Sequence, residues 1–175
     1  MAPFRVLVVC IGNVCRSPLG QLLLASRLPR DRFEITSAGV GALVGEPMSP
    51  EAAVHLEPYG VTADGFSARQ LTAAMIRQSD LVLTATTAIR SRVLEEAPAA
   101  LRRTFTVLEL AALLDVVEPQ PDPAALVRAA AEQRSRVVLE AYDVPDPFGR
   151  GPEANAQAAG LMATAVDRIA KGLAP

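Results

Sequence analysis

Apolar residues fill Phe4–Cys10 almost without interruption, and β-branched Val6, Val8 and Val9 dominate the run. A segment with no polar alternation is what a strand buried on both faces of a parallel sheet requires. From residue 18 to 28 the period changes, with Leu22, Leu23, Ala25 and Ser26 at helical spacing, so the chain opens as strand, loop, helix. Residues 33–38 predict a second strand, ended by Gly39 and Gly41. Ser49-Pro50-Glu51 opens a helix, with Ser49 placed as N-cap and Pro50 in the first turn. Leu81-Val82-Leu83 reads as a third buried strand and Phe105-Thr106-Val107 as a weaker fourth. Residues 153–173 carry Leu161, Ala165 and Ile169 at four-residue steps, which predicts a C-terminal helix laid on the sheet. Alternating strands and helices predict an open parallel α/β fold. Residues 115–136 are punctuated by Pro119, Pro121 and Pro123 and then rich in Ala, Arg and Glu. They are expected to form a loop and a short surface helix inserted in a single domain over residues 1–175, since they hold too few apolar side chains for a core of their own.

Composition narrows the function classes. Half of the 175 residues are apolar, 21% are charged and the net charge is −2. No run of Lys or Arg is long enough to follow a nucleic-acid backbone, so no nucleic-acid partner is expected. The two cysteines, Cys10 and Cys15, cannot build a secreted disulfide framework, and a reducing cytoplasmic location is expected. Val6 to Cys10 imitates the end of a lipoprotein signal, but bulky Val8 and Val9 stand where cleavage needs small residues, and the reading is rejected. No stretch approaches the ~20 apolar residues of a membrane span, so no membrane insertion is expected.

The chemistry concentrates in Cys10-Ile11-Gly12-Asn13-Val14-Cys15-Arg16-Ser17-Pro18, between the first strand and the first helix. Ligands of open α/β sheets sit at the carboxyl ends of strands. A helix N-terminus at that point offers free N–H groups and the positive end of its dipole to an anion. Gly12 lets successive N–H groups converge, and the planar fork of Arg16 can hold two phosphate oxygens. The loop from Ile11 through Gly12, Asn13, Val14, Cys15 and Arg16 to Ser17 is therefore expected to cradle a phosphate. The same field favours a thiolate at Cys10, a nucleophile that needs no neighbouring histidine. Asp146, in Val144-Pro145-Asp146-Pro147, sits between prolines that hold their preceding residues extended, which makes a stiff arm for a carboxyl group. A phenolate leaving group, whose conjugate acid has a pKa of ~10, gains from such a proton donor.

The loop resembles the active site of the low-molecular-weight protein tyrosine phosphatases. Ser37-Ala38-Gly39-Val40-Gly41-Ala42-Leu43-Val44-Gly45 is similar to the second-strand segment of the bacterial branch associated with exopolysaccharide tyrosine kinases. Ala68-Arg69-Gln70-Leu71 and Asp146-Pro147-Phe148 match two further landmarks of that family in order and spacing. The resemblance implies a four-stranded parallel sheet flanked by helices, with the phosphate loop after the first strand. It implies hydrolysis of phosphotyrosine in proteins through a cysteinyl-phosphate, with Cys10, Arg16 and Asp146 catalytic and a bacterial kinase tail as partner. It further implies that Asn13, Ser17 and Ser37 hydrogen-bond one another and shape the loop, and that Ser17 helps the thiolate leave. Ile11 stands where related phosphoarginine phosphatases carry Thr, and Phe148 replaces the usual Tyr as a wall of the substrate cleft. Cys15 has two readings: a redox partner that traps oxidised Cys10, as the resemblance implies, or a small buried filler.

Phe66 occupies a position where many members have a His that touches the loop Asn; Ser49 replaces an Asp, and Thr86 with Thr87 an acidic residue. The glycines from Gly39 to Gly45 imitate a dinucleotide fingerprint at the wrong spacing, and His55 reads as a packing or surface residue. With no clustered ligands, neither metal nor cofactor is expected. Two other functions use such a loop: arsenate reduction with an external small-molecule thiol, and phosphate binding without turnover. The first leaves Asp146 without a task. Asp122 and Asp143 are expected to be silent towards the chemistry.

Overall fold

The computed structural model describes residues 2–174. Strands β1 (Phe4–Cys10), β2 (Phe33–Gly39), β3 (Leu81–Thr84) and β4 (Thr104–Thr106) form one parallel sheet in the order β2-β1-β3-β4. Alternate residues of β1 serve opposite sides. Val6 and Val8 join one apolar cluster, while Leu7, Val9 and Cys10 join the other. Each fully buried Val or Leu contributes roughly 1.5–3 kcal/mol, so the uninterrupted apolar run places β1 inside the sheet.

Helices α1 (Arg16–Arg27), α5 (Val107–Leu113), α6 (Pro123–Glu132) and α7 (Gly151–Leu173) supply the larger cluster. The smaller one lies under α3 (Ala73–Gln78) and α4 (Thr87–Glu96), through Ile76, Ile89 and Val93. The four-residue helix α2 (Pro50–Ala53) packs on α1 and α7. The chain leaves β1 towards β2 on one side and returns to β3 on the other. This reversal opens a crevice at the carboxyl end of β1, where ligands of open sheets bind. Cys10 is the last residue of that strand.

Several expectations change. Helix α1 begins at Arg16 rather than at residue 18, because Pro18 fits the first turn, where a missing N–H costs nothing. Ser49 sits at the N-cap of α2, but its side chain makes no capping bond and the helix soon tightens to 3₁₀ geometry through Tyr59. Val107 opens α5 instead of ending a strand, since Thr106 and Glu109 form a reciprocal capping box. The helix expected near the surface, α6, is N-capped by Asp122 and buries Leu126, Val127 and Ala130 in the larger cluster. Among the described residues, no helix is long and apolar enough to cross a membrane.

Gly20 lets α1 sit close to both the sheet and α7. A Cβ there would stand 2.7 Å from the Met162 terminal methyl and 3.2 Å from a Val8 methyl. Gly20→Leu is expected to lower stability by ~1–3 kcal/mol through overpacking. Gly20→Ala should cost less, because the end of a methionine yields easily. Denaturation midpoints measure both; an unchanged midpoint for Gly20→Leu would remove the close contact.

Candidate active site

The segment 10–17 is held by its carbonyls. Those of Cys10, Ile11, Gly12 and Val14 accept N–H bonds from Val40, Gly41, Leu43 and Ser49 at 3.0, 3.0, 3.0 and 2.8 Å. In a trans peptide the N–H points opposite to its carbonyl. Fixing these four oxygens therefore turns the N–H groups of Ile11, Gly12, Asn13 and Cys15 away from residues 40–49. Asn13 makes the bend with φ 58°, an angle that non-glycine residues seldom adopt. Cys15 at the N-cap of α1 provides no side-chain cap, so the first N–H groups of the helix stay available to an anion.

Gly39 permits this closure. Its Cα pairs with Cys10 across the sheet, and a Cβ would lie 2.3 Å from the Ile11 carbonyl oxygen. In the sequence Gly39 marks the end of a strand and the start of a glycine-rich segment, and nothing local marks the contact.

A directed hydrogen-bond chain runs beneath the loop. The Ser37 hydroxyl donates to Gln21 Oε1 at 2.5 Å. Asn13 Nδ2 donates to Ser37 Oγ at 2.9 Å and to Ser17 Oγ at 2.8 Å. With its oxygen already accepting, Ser17 can direct its proton to Cys10 Sγ, 2.9 Å away. A hydroxyl at that distance is placed to hydrogen-bond the sulfur. The three residues expected to shape the loop are thus brought together through Asn13, and Gln21 is an unforeseen fourth. Asn13 Oδ1 accepts the Arg69 backbone N–H at 2.9 Å. The amide is satisfied without the His that Phe66 replaces, and Phe66 packs half-buried against the core.

The Arg16 guanidinium is buried, with 2% of the side chain exposed. Its Nη1 donates to the Val144 carbonyl at 2.8 Å, and Nη2 lies 3.4 Å from Asp146 Oδ1. Nε has no partner. It shares an edge of the planar group with Nη2, and that edge has the geometry to grip two oxygens of a phosphate. Val144 N–H donates to the Ala85 carbonyl at 2.8 Å, tying the acid-bearing arm to the end of β3. Asp143 accepts the Thr87 N–H at 2.7 Å at the start of α4, and Thr86 caps the same helix. Asp143 therefore anchors the arm, and the Thr pair has a structural task.

Cys10, Arg16, Asp146, Ile11 and Phe148 line one cleft of about 210 Å³. Ile11 and Phe148, 44% and 57% exposed, stand at its mouth. Leu43 joins them, a wall hidden from sequence reading inside the glycine-rich segment. Cys15, the N-cap of α1, lines the same cleft and is 5% exposed. Burial, followed by the neighbouring Cys10, pushes its pKa up to about 11, against a partial lowering by the Ser49 hydroxyl. Both cysteines are free thiols.

Residues 5–123 match the family described as low molecular weight phosphotyrosine protein phosphatase. The low molecular weight protein-tyrosine-phosphatase Wzb of Salmonella typhi is 31% identical over 155 residues, covering 86% of this chain and 80% of that protein. Among solved structures, the tyrosine phosphatase AmsI of Erwinia amylovora superposes with a TM-score of 0.75 at 25% identity, over 99% of this chain and 95% of that one. The YwlE arginine phosphatase of Geobacillus stearothermophilus does so at 0.74 and 29% identity, over 97% and 92%.

The position of Cys15 generates a pH test. Its pKa rises from 9.0 to about 11 on folding, so the stabilisation is complete below pH 9. It is lost as the pH climbs to 11, where the unfolded chain has given up a proton that the native state keeps. Wild type is expected to lose stability more steeply than Cys15→Ala between these limits, as read by urea midpoints. Parallel curves would contradict the burial of this thiol.

Proposed function

The chain belongs to the low molecular weight phosphotyrosine protein phosphatases, and from that premise we propose that Cys10, Arg16 and Asp146 hydrolyse aryl phosphate esters through a cysteinyl-phosphate intermediate. The observation that carries the proposal is the unpartnered Nε of buried Arg16, beside an Nη2 that lies 3.4 Å from Asp146. A phosphate gripped there lies in the cleft that Cys10 also lines.

Oxygens of the phosphate take the loop N–H groups and the Arg16 fork, which favours charge on the transferring group. The Cys10 thiolate forms the S–P bond as the P–O bond to the phenol breaks. Asp146 gives its proton to the departing oxygen. As a carboxylate it then takes a proton from water attacking phosphorus, and the S–P bond breaks with inorganic phosphate released. Ser17, 2.9 Å from Cys10 Sγ, steadies the returning thiolate. Acid–base assistance of this kind is worth ~10²–10⁴ in rate.

The mouth formed by Ile11, Leu43 and Phe148 supports a flat ring as the group that carries the phosphate. The substrate we propose is phosphotyrosine in a protein, which the names of relatives support; the proposed partner, the tyrosine-rich tail of a bacterial kinase, rests on the sequence resemblance alone, and the proposed cytoplasmic setting on the cysteine count. A second reading, phosphoarginine, is favoured by the similarity to YwlE. Arsenate reduction leaves Asp146 idle, and no cysteine follows Cys15 to relay oxidation.

Three measurements test the proposal. Cys10→Ser should abolish turnover and still bind inorganic phosphate, while Asp146→Asn should slow phenyl phosphate by ~10²-fold or more and activated aryl phosphates far less. Activity in Cys10→Ser, or equal losses across leaving groups, would overturn the assignment. Phosphotyrosine peptides should exceed phosphoserine peptides in kcat/KM by ~10²-fold or more, because a seryl phosphate is too short to reach Cys10 with its backbone outside. Faster turnover of phosphoarginine peptides would replace the aryl reading.

A further inference from the structure

The arm that carries Asp146 is anchored upstream by backbone and side-chain bonds at Asp143 and Val144. Downstream it passes through the turn from Pro147 to Arg150, closed by the Arg150 N–H on the Pro147 carbonyl at 3.0 Å, and then enters α7. Gly149 and Gly151 in this stretch have φ of 68° and 87°. Left-handed glycines make a turn tight without making it stiff, since the same positions are free to take other angles. The Asp146 carboxylate itself accepts the Phe148 N–H at 3.3 Å and lies 3.4 Å from Arg16 Nη2; the backbone that carries it downstream needs a further hold from outside the turn.

Asn155 lies in α7, just past that turn, and is 2% exposed. Its Nδ2 donates to the Gly151 carbonyl at 2.9 Å, the Glu51 carboxylate at 3.0 Å and, more weakly, the Pro147 carbonyl at 3.4 Å. All three are pure acceptors, so the amide orientation is settled by its surroundings: the reverse would press Oδ1 against three oxygens. The unused Oδ1 is buried. Asn155 also lines a small cavity of about 10 Å³ together with Cys15, Arg16, Ala52 and Pro147. One side chain thus meets the base of the acid arm, the start of α7 and helix α2, directly behind the phosphate loop.

We propose that Asn155 is a positioning residue for the acid step: its amide fixes the turn after Pro147 and so aims Asp146 at the leaving-group oxygen. Asn155 touches no reacting atom. Its influence passes through Asp146, and the inference rests on Asp146 being the proton donor. Inorganic phosphate is held by the loop and Arg16, so phosphate binding should not depend on this residue.

Those relations set the test. Asn155→Leu keeps the volume and removes the donors. Its kcat is expected to fall ~10-fold with phenyl phosphate and less than ~2-fold with an activated aryl phosphate, while the inhibition constant for inorganic phosphate stays as in wild type. In an Asp146→Asn background the same substitution should add no further loss, because an absent proton donor cannot be misaimed. Asn155→Ser, whose shorter hydroxyl does not span the gap to Pro147, serves if the Leu variant fails to fold and should give the same leaving-group pattern. Equal losses on both substrates, weakened phosphate binding, or full additivity with Asp146→Asn would overturn the inference. A flat leaving-group response of Asp146→Asn itself would instead overturn the acid assignment on which it rests.

Discussion

A guanidinium that is almost wholly buried must be paired, because an isolated charge away from water costs several kcal/mol even after relaxation. Arg16 meets this demand with a carbonyl, a carboxylate and an edge left open. Much of the active site is arranged around that requirement. The Val144 carbonyl must come to Nη1, so the arm carrying Asp146 is drawn across the mouth of the loop. The remaining edge keeps its donors for an anion, whose arrival completes the pairing.

The cradle is set in the same manner, by satisfying backbone groups elsewhere. Its carbonyls are taken up by residues 40–49, and the peptides have no freedom left to turn their N–H groups away. Asn13 then links the loop to Ser17, Ser37 and the Arg69 backbone, so that β2 and the segment after it hold the surroundings of Cys10 in one geometry. Catalytic sites of this kind work by preorganised dipoles that need no rearrangement during reaction.

Much of this was legible in the chain because strong local signals coincided. The apolar run before Cys10, the Cys-to-Arg spacing and the prolines around Asp146 each restrict the backbone in their own neighbourhood. Helices α3, α4 and α5 left weaker marks: they are short, and their register depends on caps at Thr72, Thr86 and Thr106. The inward packing of α6 follows from one apolar face, Leu126, Val127 and Ala130, which the Ala, Arg and Glu content of the segment masks when it is read as composition. Gln21, Leu43, Arg69 and Asn155 were not identified as site residues for a different reason. Each acts through a partner distant in sequence, as Asn155 does on Glu51 and Arg69 on Asn13, and no local pattern encodes such a meeting. Phe66 and Thr86 were read as departures from a family pattern; the structure gives their tasks to a backbone N–H and to a helix cap.

The closeness of Gly39 to the Ile11 carbonyl has a consequence for how the chain finds its fold. Parallel strands distant in sequence are prone to pair one residue out of step when flat apolar side chains fit either way. Here a slip of β2 in either direction would bring Ala38 or Val40 opposite Cys10, and a methyl or larger group would collide with the backbone of the loop. The loop can close only over the one position without a side chain. The catalytic segment therefore acts as a gauge of strand pairing, and chains that pair wrongly forfeit the hydrogen bonds of the whole cradle. Selection for catalysis and selection against misfolding fall on the same glycine, so local and global preferences agree at the point where an error would be most damaging.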